Sequence, residues 1–180
     1  MTTLPEKLLA IHDALSAADL PHAFGGAIAL AYCTEEPRGT RDIDVNVFAE
    51  PGRAAEILAA FPTGSVVSPT DIKTAERDGQ VRVWWEDTPI DLFLDVHAFH
   101  AEVAAGVRTV PFSGRSIPVV GCTALVVFKT LLDRTKDWAD IEAVTDAGAA
   151  DLKEALVWVE RALGADDQSV QRLTTLTQQR

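Results

Sequence analysis

The chain is short of cysteine, short of bases and without any long apolar run, and each shortage closes off a class of protein. Only two cysteines occur in 180 residues, Cys33 and Cys122, far apart and without metal-ligand spacing. That content excludes a disulfide-built scaffold and a zinc finger, and the pair reads as two buried free thiols in a reducing compartment. No apolar stretch in the sequence approaches the ~20 residues a membrane-spanning helix requires. The opening MTTLPEKLLAIHD carries charges and lacks the apolar core of a signal peptide, so a cytoplasmic protein with no membrane partner is expected. Bases number 16 against 27 acids, a net charge of −11 at pH 7. A broad basic face for nucleic acid is therefore missing. A polynucleotide would need a local groove drawn from Arg38, Arg41, Lys129, Arg134 and Lys136, so the balance favours a small molecule or a protein as acceptor.

What the chain has in quantity is apolar surface, at 47% hydrophobic residues, ample for a packed core and too much for disorder. Its length fits one domain. An amphipathic helix is expected over 5–18, with Leu8, Ile11, Leu15 and Ala18 on one stripe. A short strand follows at 21–25, a helix at 27–32, a polar loop at 34–40, a strand at 43–48 and a helix at 53–60. Pro62, Gly64 and Pro69 then break the pattern. The segments 80–85 and 90–96 read as a β-hairpin, and 108–112 with 116–119 as a second. Helices are expected at 123–133, 136–147, 151–163 and 167–177. A sheet first and helices last make an α+β domain, with an α/β core over 1–120 and a helical segment over 121–180 packed on it.

The densest information lies in FGGAIALAYCTEEPRGTRDIDVNV, from Phe24 to Val47. Asp42 and Asp44 flank one apolar residue on a predicted strand, so both project from one face. Their Cα atoms are then roughly 7 Å apart, since a strand rises ~3.3 Å per residue. Both carboxylates can reach one or two hard divalent cations, with Ile43 turned into the core. Gly25 and Gly26 leave backbone N–H groups open to an anion such as phosphate. An Asp-x-Asp pair by itself also suits any solvated strand, and a Gly-Gly pair any turn. It is the order of glycine pair, helix, Arg/Thr loop and acid pair that points to nucleotidyl transfer. Other features carry less. His97 and His100 have a chelating spacing but no third ligand beside them, and Trp84 and Trp85 on one strand must point to opposite faces.

The segment resembles the signature of the DNA polymerase beta-like nucleotidyltransferase superfamily: an apolar residue, a glycine pair, a short helix and an acid–apolar–acid strand. Arg38, Thr40, Asp42 and Asp44, in the form Arg-x-Thr-x-Asp-x-Asp, resemble the branch holding abortive-infection and toxin–antitoxin enzymes. Residues 117–144, IPVVGCTALVVFKTLLDRTKDWADIEAV, are similar to that branch's C-terminal motif. The resemblance implies a nucleotidyltransferase-type mixed sheet with flanking helices, and Mg²⁺ or Mn²⁺ held by Asp42, Asp44 and a third acid. That acid is Asp91, following the hairpin turn, with Asp95 as its rival; either could instead pair with Arg82. Gly25, Gly26, Arg38, Thr40, Arg41 and Lys129 would contact the nucleotide. Arg134, Lys136, Asp137 and Asp140 could serve the site or simply cap a helix, Asp137 orienting Lys129. The implied activity transfers NMP from ATP or another NTP to a hydroxyl of a tRNA, a protein or a small molecule. A toxin role would bring a cognate antitoxin. The alternative is a catalytically inactive nucleotide-binding or regulatory module of the same fold.

Overall fold

Seven strands form one mixed sheet in the spatial order β3-β4-β5-β2-β1-β7-β6. They are β1 (His22–Phe24), β2 (Ile43–Val47), β3 (Ser65–Val66), β4 (Gln80–Trp85), β5 (Thr88–Leu94), β6 (Arg108–Phe112) and β7 (Arg115–Val119) in a computed structural model that describes residues 2–178. Met1, Gln179 and Arg180, at the ends of the expected segments, lie outside the described residues. Around the sheet run α1 (Leu4–Ala17), α2 (Gly26–Thr34), α3 (Ala54–Ala59), α4 (Pro69–Asp78), α5 (Phe99–Ala105), α6 (Cys122–Leu132), α7 (Thr135–Asp146), α8 (Leu152–Leu163) and α9 (Gln168–Gln178).

The centre of the sheet is set by alternation. Ile43, Val45 and Val47 of β2 and Ile90, Leu92 and Leu94 of β5 are all at 0% exposure, while the residues between them face the other way. The two strands pair in parallel, with Ile43 opposite Ile90 and Asp44 opposite Asp91. β1 pairs antiparallel with β2 and parallel with β7. Because each of β1 and β7 leads directly into a helix, parallel pairing sets α2 and α6 side by side. Helix α6 is the hub of the C-terminal helices, packing on α2, α7, α8 and α9.

Three elements were not expected: β3, α4 and α5. Pro69 does not break a helix but begins one, because a proline at the first helical position loses no hydrogen bond. Ser68 caps α4 by accepting from the Asp71 N–H, and the Asp71 carboxylate accepts from the Ser68 N–H. The free-thiol expectation is also overturned. Cys33 and Cys122 form a disulfide with a Cα–Cα distance of 5.6 Å across a sequence separation of 89. The separation hid the pairing, which depends on the parallel contact of β1 with β7. In α1, Leu8, Ile11 and Leu15 are buried as expected, but Ala18 is exposed beyond the helix end. Lys7 joins the buried set instead, its ammonium donating to the Trp85 carbonyl at 3.0 Å and the Thr88 hydroxyl at 2.9 Å. Among the described residues, no helix is long and apolar enough to cross a membrane.

Candidate active site

Asp44 lies on β2 directly beneath the glycine turn. The Gly25 N–H donates to the Asp44 carbonyl at 2.9 Å, so this amide belongs to the sheet rather than to a ligand. Gly26 then opens α2 at φ +51°, in the left-handed region. A Cβ there would stand 1.8 Å from Asp44 Oδ2, so no side chain fits between turn and carboxylate. The open donors are the first-turn amides of Gly26, Ala27 and Ile28, whose N–H groups have no carbonyl one turn back. They form the anion-favouring end of a helix directly over an acid pair.

The three acids share a face but are held separately. Thr40 donates its hydroxyl to the Asp42 carboxylate, an Asx/ST-type local contact that fixes the loop before β2. Asp91, cross-strand from Asp44, receives a bidentate pair from Arg82 on β4, with Nε and Nη2 each 2.7 Å from a carboxylate oxygen. Among the described residues Asp44 has no such partner. Burial, then the charges of Asp42 and Asp91, push its carboxyl up from the ordinary 3.8 to about 6. Among the described residues no three His, Cys, Asp or Glu side chains are placed to hold an ion as they stand. The donor chemistry nonetheless fits a hard cation: two carboxylates on neighbouring strands and a third from the residue just before β2, one of them carrying negative crowding that a divalent ion would relieve.

A second charge cluster closes the other side of the site. Lys129 on α6 is 8% exposed and donates to Asp140 at 2.7 Å, with Asp137 at 3.5 Å. Asp137, fully buried, caps the start of α7 by accepting from Arg134 Nε at 2.6 Å, Nη2 at 3.1 Å and the Arg134 backbone N–H at 3.3 Å. Burial alone would raise the Asp137 carboxyl, but the Arg134 hydrogen bond and the charges of Lys129 and Arg134 outweigh it and hold it low. Arg38, from the loop before β2, reaches across to Asp140 at 2.5 Å. Helix capping and site building therefore use the same residues, and Asp137 does contact Lys129.

Gly25, Gly26, Arg38, Thr40, Asp42, Asp44, Asp91 and Lys129 line one cavity of about 470 Å³. Arg41 does not line it, and neither does Asp95. Asp95 falls past the end of β5 with its side chain 43% exposed, 3.8 Å from His100 Nδ1. Lys136 and Arg134 also line the cavity. Sequence reasoning missed Asn46, Phe93 and Phe128, which extend the cavity. The first two were within reach, since they continue the alternation 42–44–46 and 91–93. Trp84, 46% exposed, lies outside the cavity, and Trp85 is buried.

No protein-family model matches the chain, and no curated protein matches it in sequence. Solved structures do. The fold is similar to that of ANT(2″)-Ia in complex with adenylyl-2″-tobramycin, at TM-score 0.62 and 19% identity over 87% of this chain and 94% of that one. An antigenic nucleotidyltransferase-like protein from Paracoccidioides brasiliensis matches at TM-score 0.52 and 14% identity, over 97% and 88%. The lincomycin-bound lincosamide antibiotic adenylyltransferase LnuA matches at TM-score 0.50 and 14% identity, over 78% and 96%. The chain therefore has a nucleotidyltransferase-type α+β fold.

Proposed function

We propose that the protein is a metal-dependent nucleotidyltransferase, moving NMP from an NTP to a hydroxyl of a small molecule. The observation that carries this is the crowding of Asp42 and Asp91 on a half-buried Asp44 whose carboxyl rises to about 6, directly under the open amides of α2. Asp42, Asp44 and Asp91 would hold Mg²⁺ or Mn²⁺, which when bound neutralises phosphate charge and acidifies the acceptor hydroxyl. The first-turn amides of α2 bind the phosphate oxygens, and the missing side chain at Gly26 lets them come close. Lys129 supplies positive potential from behind, fixed by Asp137 and Asp140. The acceptor oxygen bonds to the α-phosphorus, the bond to the β-phosphate oxygen breaks, and pyrophosphate leaves. The hydroxyl proton passes to the Asp91 carboxylate.

A small acceptor is favoured by the net charge of −11 and by the antibiotics that accompany two of the similar structures, tobramycin in adenylylated form and lincomycin. A toxin acting on tRNA or protein, with a cognate antitoxin, has only the sequence resemblance behind it. A second reading, a nucleotide-binding module without turnover, is favoured by Arg82 holding both oxygens of Asp91. Incubation with Mg²⁺, each α-phosphate-labelled NTP and acceptor mixtures including tobramycin, lincomycin and total tRNA separates them. Label transfer with pyrophosphate release, lost in Asp42→Asn and Asp44→Asn, is the expected result. Nucleotide binding with no release across all acceptors would leave the binding module.

A further inference from the structure

A second cavity, of about 630 Å³, is lined by Tyr32, Cys33, Glu35, Arg108 and Cys122, and neither the acids nor Lys129 contributes to it. Cys33 and Cys122 are only 3% and 5% exposed, so this cavity is the approach to their bond. The two sulfurs sit at opposite helix poles. Cys33 lies in the last turn of α2, where carbonyl ends accumulate negative charge, and the exposed Glu35 follows as C-cap. Cys122 is the first residue of α6, among open amides, and Arg108 Nη1 stands 3.2 Å from its Sγ. A thiolate forming at 122 is stabilised by helix and guanidinium together, and one forming at 33 is opposed.

We propose that this cavity is a thiol-exchange site, in which a low-molecular-weight thiol attacks the Cys33 sulfur and expels Cys122 as the thiolate. The incoming thiolate forms the new S–S bond to Cys33, the Cys33–Cys122 bond breaks, and its electron pair stays on Cys122. A second equivalent of the thiol then attacks the mixed disulfide and releases Cys33, so that two thiols are oxidised and one protein disulfide is reduced. The exchange unties α2, which begins at Gly26, from α6, which carries Lys129.

The test uses the full chain purified without reductant and reduced glutathione as the probe, with exchange stopped early by iodoacetamide and the adducts mapped by mass spectrometry. Glutathione is expected on Cys33 and the alkyl group on Cys122, by roughly fivefold over the reverse arrangement, since leaving-group stability steers the attack. Arg108→Gln, at an exposed position that leaves the fold intact, should slow exchange and weaken that selectivity. An adduct chiefly on Cys122, exchange indifferent to Arg108→Gln, or two free thiols in the purified protein would each overturn the proposal. None of these readouts depends on nucleotidyl transfer.

Discussion

Asp44 is half-buried and Asp137 fully buried, both lie next to charged neighbours, and their carboxyls move in opposite directions. Asp44 rises to about 6 because burial is joined by the charges of Asp42 and Asp91. Asp137 falls although it is fully buried, because Arg134 and Lys129 reach it. The helical cluster alternates sign around every member: Arg38, Asp140, Lys129, Asp137, Arg134. The sheet cluster places like charges together, and among the described residues only Asp91 of its three acids is bonded by a cation. Satisfied charge builds structure, whereas charge held in conflict with its surroundings marks a place where something else is meant to bind.

The same Asp→Asn change should separate the two regions. In the proposed enzyme, Asp44→Asn should lower transfer by at least about 10³-fold, as expected when a ligand to the catalytic charge is lost. Labelled-NTP assays with the fold checked by circular dichroism measure it. A loss under tenfold would remove Asp44 from the site. Asp137→Asn should act first on stability, by about 1–3 kcal/mol in denaturant unfolding at pH 8, because the fully buried carboxylate loses its charge-assisted hydrogen bonds from Arg134, whose own side chain is half exposed, while Lys129 keeps Asp140. Asp137's contribution is present above the ordinary carboxylate range and disappears as pH falls through its lowered value.

Asp44→Asn should do the reverse to stability. A carboxyl raised from 3.8 to about 6 in the folded state favours folding when protonated, and that advantage is lost as pH rises through about 6. Ionised Asp44 therefore costs the fold roughly 2–3 kcal/mol at pH 8, at 1.36 kcal/mol per pKa unit. The asparagine variant should be more stable than the parent by about that amount at pH 8, and the difference should fade towards pH 4. Parallel urea titrations at the two pH values read it. A flat difference would mean that the conflict at Asp44 is absent.

The two regions also differ in how far the sequence disclosed them. The acid pair and the glycine turn depend on local alternation and order, so Asp42, Asp44, Gly25 and Gly26 could be placed before any coordinates, whereas alternation sets Asp91 and Asp95 on one face and does not choose between them. The opposition of Asp44 and Asp91 could not be placed, since it follows from the parallel pairing of β2 and β5. Asp137 and Lys129 are legible as an i,i+8 link across a helix break, but the crossing from Arg38 to Asp140 spans 102 residues. Arg41 looked equivalent to Arg38 in the sequence, and only the loop's path sends one into the cavity and leaves the other outside. Helix α4 is hidden in the sequence because Pro69 reads as a breaker, although Ser68, Pro69 and Asp71 spell a helix start. Cys33 and Cys122 read as free thiols in the sequence because a disulfide between the helices that follow two parallel strands leaves no local trace.

Arg82 gives the finest test of the contrast, because it is the one cation in the sheet cluster that does what Arg134 does in the helical one. It holds Asp91 by two hydrogen bonds of 2.7 Å, yet its side chain is 52% exposed where Asp91 is 19% exposed. A pair that open to water contributes about 1 kcal/mol or less to stability, so Arg82→Gln should barely move the denaturation midpoint. Its effect should appear at the site. Without the guanidinium, Asp91 turns freely and its charge is less offset, so the Asp44 carboxyl should rise further and the stability gain of Asp44→Asn at pH 8 should grow in the Arg82→Gln background. Transfer should fall roughly tenfold, as expected for losing the orientation of a group at the reacting centre. A double-mutant cycle over Arg82 and Asp44, read by unfolding at pH 8, measures the coupling. Additive effects would show that Arg82 serves only the pairing of β4 with β5 and does not tune the charge that Asp91 presents to Asp44.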